Sequence, residues 1–216
     1  MPNWSTNYVV CDTKKDFELL KKAILDKDGD VDFNKITAMP KSLNITSGSV
    51  NTSIMKSKSY EEFIKDNQFF AGAFESYKKD NKSYLTDSDY EKILANNSNT
   101  SQEYYEAIKK TMVSNLKRYK SVDWYEWSYA HWSVKWNACD TEVGDNYIMF
   151  NTPWNAPIKV YEKLVSLYPQ LKAKFIVKQE DEDTPAIVLE NGNSKVDVSD
   201  FLKPDTWEDE EEEATA

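Results

Sequence analysis

Strand-like and helix-like segments run in the order strand, helix, strand, helical run, strand, helix, strand. That order predicts an α+β fold of the ferredoxin-like plan, an antiparallel sheet with two helices on one face. Short apolar alternations bounded by turn signals recur near both ends, while the residues between them carry apolar positions three and four apart. The helical run therefore reads as an insertion over 41–121 between sheet-domain halves at 1–40 and 122–200. A C-terminal hairpin extends the second half, and 201–216 reads as an acidic, disordered tail.

Each element has its own signal. "NYVVC" (7–11) reads as the first strand. Thr13 with Asp16 three residues later caps a helix whose apolar face is Phe17, Leu20 and Ile24. Gly29 ends that helix's turn, and "VDFNKIT" (31–37) reads as strand two. Within the insertion, Ser59 with Glu62 and Thr86 with Asp89 open helices. Tyr105, Ile108, Met112, Leu116 and Tyr119 mark a third. Strands are expected again after Trp124, as "KWNACDTEV" and "NYIMFNT" around a Gly144-Asp145 turn. Asn155 is expected to cap a helix with Pro157 in its first turn and Ile158, Tyr161, Leu164 and Val165 on its stripe. "LKAKFIVK" then alternates as a strand, and "AIVLE" and "SKVDV" bracket the hairpin turn Asn191-Gly192.

Composition narrows the function classes. Hydrophobic residues at 40% provide for a core. No apolar run reaches membrane-spanning length and the first residues lack a signal pattern, so the expectation is a cytoplasmic protein. Five glycines, scattered in turns, cannot make a glycine-rich phosphate loop or a dinucleotide fingerprint. The one histidine, His131, has no nucleophile-elbow pattern beside it. With Cys11 and Cys139 it lacks paired zinc-ligand spacing. "LDKDGDVDFNKI" (25–36) imitates a calcium loop through Asp26, Asp28 and Asp30. Val31 stands where that loop needs glycine and Thr37 where it needs glutamate. No catalytic residues, cofactor or metal are expected.

Two stretches remain as candidates for binding. The net charge of −10 is concentrated in the tail, where Trp207 precedes Glu208, Asp209, Glu210, Glu211, Glu212 and Glu213. Such a segment suits docking onto a basic, nucleic-acid-handling surface of a partner protein. The alternative is single-stranded nucleic acid or a nucleotide held by 116–136, through Lys117, Arg118, Tyr119, Lys120, Trp124 and Trp127. Arg118 is the only arginine, a poor endowment for bidentate base or phosphate recognition.

Four segments together resemble the YubB-like ferredoxin-fold family of phage, prophage and plasmid accessory proteins. They are "MPNW" with Asn7 beyond Ser5; "VDFNKITAMP"; "HWSVKWNACD", with Trp132, Lys135 and Trp136; and "FNTPWNAPIKV", with Thr152, Trp154 and Pro157. Ser5 stands where that family typically has cysteine, and Ser133 where it has glycine. The resemblance covers 1–40 and 127–178. It implies the fold and a mobile-element setting, supplies no catalytic residue, and points to a non-enzymatic accessory protein that binds a host protein, such as an inhibitor of bacterial defence.

Overall fold

The computed structural model describes residues 3–66, 101–180 and 186–190. It is a mixed α+β structure that divides into two compact units, Met1–Ala38 with His131–Ala216, and Met39–Ala130. The first unit holds β1 (Trp4–Cys11), α1 (Lys14–Ile24) and a 3₁₀ turn at Phe33–Lys35. The second holds a 3₁₀ turn at Lys41–Leu43, α2 (Ser49–Lys56), α3 (Tyr60–Asp66) and α4 (Ser101–Tyr119). Helix α5 (Trp124–Trp132) leads back to the first unit's β2 (Cys139–Val143), β3 (Tyr147–Pro153), α6 (Ile158–Leu167), β4 (Ala173–Gln179) and β5 (Ala186–Glu190).

The five strands form one sheet in the order β2-β3-β1-β4-β5, and every neighbouring pair is antiparallel. Strand β1 lies at its centre. Its alternate residues Ser5, Asn7, Val9 and Cys11 are buried, while Trp4, Thr6, Tyr8 and Val10 are half-buried on the opposite face. The registers Asn7↔Phe150, Val9↔Ile148, Asn7↔Val177 and Val9↔Phe175 bring the buried residues of three strands onto one face. Helix α1 turns Phe17, Leu20, Ala23 and Ile24 inward, and α6 contributes Val160, Tyr161 and Leu164. The α1 cap forms as expected. The Asp16 N–H donates to Thr13 Oγ1 (3.1 Å), and Thr13 Oγ1 donates to the Asp16 carboxylate (2.5 Å).

A polar network lies inside this apolar layer. The Asn7 amide donates to Thr152 Oγ1 (2.7 Å) and to the Ser5 carbonyl (2.8 Å), and its Oδ1 accepts the Tyr161 hydroxyl (2.7 Å). Thr152 Oγ1 donates in turn to the Asn155 carbonyl (2.7 Å), and Ser5 Oγ to Gln179 Oε1 (2.6 Å). Asn7, Ser5 and Thr152 are each fully buried, so every one of these bonds replaces one lost to water.

The expected second strand is not a strand. Val31 makes only an isolated bridge to Leu25, and Phe33–Lys35 is a 3₁₀ turn. Side chains claim the backbone of this segment. The Val31 N–H donates to Thr141 Oγ1 (3.0 Å), Phe33 N–H to Asn137 Oδ1 (2.8 Å), and Asn34 N–H to Asp32 Oδ1 (2.9 Å). The sheet position beside β3 is filled by Cys139–Val143 instead. The Asp26 carboxylate likewise closes its own turn, accepting the N–H groups of Asp28 (2.9 Å) and Asp30 (3.0 Å), while Gly29 takes the left-handed φ of 91°. Those bonds, with Asp30's first, hold the Asp26 carboxyl below its usual range.

Residues 124–130 also depart from the strand expectation, since they are helical and belong to the second unit. "DWYE" is a capping box. Asp123 accepts the N–H groups of Tyr125 (3.0 Å) and Glu126 (3.3 Å), and the Glu126 carboxylate accepts Val122 N–H (2.7 Å). The core of this unit is Ile45, Ile54, Phe63, Tyr104, Tyr105, Ile108 and Met112. Asn155 does not cap α6; Pro157 occupies the cap position with no side-chain bond. The Asn155 carbonyl accepts the Thr152 hydroxyl instead. The expected helix after Thr86 and the Asn191-Gly192 hairpin turn lie outside the described residues.

The buried amide network gives a stability prediction. Asn7→Ala leaves the Tyr161 hydroxyl without its acceptor and Thr152 Oγ1 without its donor, and is expected to cost about 2–3 kcal/mol in urea unfolding. Tyr161→Phe alone should cost about 1–2 kcal/mol, and the double variant should fall short of the sum by about 1 kcal/mol, because the orphaned hydroxyl has gone. Additive losses would show that the two groups do not depend on each other.

Candidate functional site

The half-buried face of the sheet is rich in rings. Strand alternation places Trp4, Thr6, Tyr8 and Val10 of β1 beside Tyr147, Met149 and Asn151 of β3. The rings fall into two groups. Tyr8 and Tyr147 meet with centroids 6.2 Å apart. Four residues back along β1, about 13 Å, Trp4 meets Trp136 edge-on at 6.4 Å, and Trp136 meets Trp154 at 5.7 Å. Lys135 Nζ sits 5.0 Å from the Trp136 ring and 5.1 Å from the Trp154 ring, so the cluster already works as a cation–π acceptor.

The backbone is strained around this cluster. Trp154 has φ of 61°, Ser133 of 69° and Asp140 of 53°, left-handed values that L residues with large side chains rarely adopt. Trp154 is nevertheless 39% exposed. Its N–H donates to the Asn3 carbonyl (2.8 Å), and Ser133 Oγ accepts Lys159 N–H (3.4 Å). Asp140 lies where the β2–β3 register slips, a bulge of the kind that re-aims side chains at sheet edges. Strain held by its surroundings so that a large ring faces outward is characteristic of binding sites.

Tyr147 lies across the hairpin against Gly144, where any Cβ would overlap the ring, and its hydroxyl donates to Glu142 (2.9 Å). The Glu142 bond pushes the Tyr147 phenol up, and burial pushes up that of Tyr8, so both remain neutral donors at physiological pH. On β4, Lys174 pairs with Asp12 (3.3 Å), and Lys178 lies opposite Thr6.

The 116–136 stretch is not one surface. Lys117, Arg118 and Lys120 are exposed and Tyr119 half-buried, at the end of α4 in the helical unit. Trp124 is half-buried against Tyr125 (5.7 Å). Trp127 is buried in that unit and unavailable for stacking. Trp132 is buried in the other unit, edge-on to Phe33 at 5.8 Å, with its indole N–H on the Thr37 carbonyl (3.0 Å). Of this stretch, Lys135 and Trp136 are the residues described at the aromatic face. Trp207, Glu208, Asp209, Glu210, Glu211 and Glu212 lie outside the described residues.

Chemistry at the remaining candidates is muted. Cys11 is buried and Cys139 half-buried, both as free thiols, and burial raises them to about 12 and about 11 respectively. His131 is half-buried in the last turn of α5. Among the described residues no three His, Cys, Asp or Glu side chains gather as a metal site, and no helix is long and apolar enough to cross a membrane. No protein-family model, curated protein or solved structure matches the chain.

Two measurements follow. Trp154→Gly should be more stable than Trp154→Ala by about 1 kcal/mol, because both lose the ring but only alanine keeps the left-handed strain; equal melting would remove strain from the account. The raised thiols should keep both cysteines protonated at pH 8. Labelling of Cys139 by a soluble disulfide reagent should then be at least ~100-fold slower than in the urea-unfolded chain. Fast native labelling would mark a reactive cysteine.

Proposed function

We propose that this chain is a non-enzymatic accessory protein of a phage or other mobile element that binds a host protein, as an inhibitor of a bacterial defence system, inside the bacterial cytoplasm. The observation that carries the reading is the ring-rich sheet face, with its outward Trp154 held in a strained backbone. Its rings and Met149, interspersed with Val10, match the composition of protein-binding hot spots, in which Trp, Tyr and Met are enriched. Lysines and carboxylates balance across the described part of this unit, and the whole chain carries −10. Nucleic acid would meet no attractive field here.

A partner with a basic surface fits better. Lys135 over two indoles shows what the cluster receives, and an arginine of the partner could stack there, while Glu142 at the Tyr8–Tyr147 end could pair with a second cation. The acidic tail, where Trp207 precedes its charges, would steer the same encounter.

The fold reading is ferredoxin-like. Four strands in the order 2-3-1-4, all antiparallel, with a helix after β1 and another after β3, follow that plan, and β5 extends the β4 edge. The YubB-like resemblance gains support from two places. Asn7 and Thr152, both in the resembling segments, are joined at the centre of the buried network. Ser133, where that family has glycine, takes a φ of 69°, which glycine adopts without strain.

The test is site-specific photocrosslinking in a bacterial host carrying a defence system. A crosslinker at Met149 should capture a protein, and one at exposed Glu162 on α6 should not. Against that purified partner, Trp136→Ala should weaken binding at least ~10-fold with melting largely kept, and should abolish the rescue of phage plating. Equal capture from both positions, capture of nucleic acid, or an unchanged affinity would refute the reading.

A further inference from the structure

The helical unit carries a second feature of different chemistry. A groove of about 610 Å³ runs between the Lys41–Leu43 turn and α4. Lys110, Ser114 and Arg118 recur every four residues along α4 and so share one face, with Lys41 coming from the 3₁₀ turn. Their backbones span about 12 Å, within which long cationic side chains can converge. Among the described residues no carboxylate lines the groove. The side-chain cations of Lys41, Lys110 and Arg118 have no ion-pair or hydrogen-bond partner among the described residues.

The floor beneath these cations is built. Asn115 is 1% exposed and donates to the carbonyls of Ser42 (2.7 Å) and Val122 (3.2 Å), while its Oδ1 accepts the Ser42 hydroxyl (2.7 Å). This fully used amide locks the turn carrying Lys41 to the helix carrying Lys110 and Arg118. The separation of the cations is thus set before any ligand arrives. Tyr119 is half-buried at the Arg118 end. Helix-dipole compensation would account for Arg118 in the last turn, but not for Lys110 two turns earlier or for Lys41.

We propose that this groove binds a free nucleotide, with Arg118, Lys110 and Lys41 on the phosphates, the Ser114 hydroxyl as a further donor, and the base stacked on Tyr119. The volume suits a mononucleotide. Arg118, the chain's only arginine, provides the planar fork that matches phosphate oxygens. The inference stands apart from the sheet-face reading and uses none of its residues.

Titration calorimetry of the full chain at fixed ionic strength tests it, with ATP, inorganic phosphate and a single-stranded deoxythymidine octamer as separate probes. ATP should bind, and more tightly than inorganic phosphate. Arg118→Ala and Lys110→Ala should each weaken ATP at least ~10-fold, with Arg118→Lys in between and Lys163→Ala, on α6, unchanged. Arg118 is exposed, so its variants are expected to melt with the parent. No ATP binding by the parent, equal ATP affinity in the Arg118 and Lys110 variants, or binding of the octamer without ATP would each overturn the proposal.

Discussion

The structure of the sheet unit depends on one buried amide. Asn7 sits at the middle of the central strand with no exposure, and a carboxamide there is tolerated only if its hydrogen-bonding groups find partners. The partners come from three elements: Ser5 of the same strand, Thr152 of β3 and Tyr161 of α6. A one-residue slip of β1 against β3 would move the amide to the opposite face and strand Thr152 and Tyr161 at once. The network therefore selects the register, and the register decides which rings face outward. Trp4 and Tyr8 are on the ring-rich face because Ser5 and Asn7 cannot be.

That dependence links stability to the candidate site. Thr152 accepts from Asn7 and donates its own hydroxyl to the Asn155 carbonyl, at the bend of the chain just after β3. The bend contains Trp154 in its left-handed conformation, with its N–H tied to Asn3 at the start of β1. A cost of about 1–2 kcal/mol for such a residue is carried by a network whose loss would cost more. The outward indole is thus a consequence of the buried hydrogen bonds, and loosening the core should loosen the face.

Much of this was legible in the sequence, for identifiable reasons. β1, β3 and β4 announce themselves by alternation, and α1 by its Thr13 cap. The β2–β3 turn is marked by Gly144-Asp145 and α4 by its apolar spacing. The errors share a cause. "VDFNKIT" has a strand's apolar content, but Asp32 and the distant Asn137 and Thr141 offer its N–H groups side-chain acceptors, and two of those three are invisible locally. "DWYE" carries a visible helix start, with Asp123 accepting from the first turn and Glu126 reaching back to Val122. The 116–136 stretch looked like one basic and aromatic surface because its residues are neighbours in sequence. A helix of 3.6 residues per turn and a change of unit disperse them, burying Trp127 and Trp132 and exposing Arg118. The tail's part in binding falls outside the described residues.

The two candidate surfaces also show why net charge is a poor guide to what this chain can hold. Six of its negative charges fall in Glu208–Glu213. At physiological salt, exposed charges more than about 8 Å away are largely screened, so a ligand responds mainly to the groups nearest it. At the helical groove those groups are three cations with no carboxylate among the lining residues. On the sheet face they are rings, a lysine already stacked on them, and Glu142. The first arrangement favours a compact anion and the second an apolar or cationic partner, whatever the total. Selection by local chemistry lets one acidic chain carry two surfaces that do not compete for the same ligand.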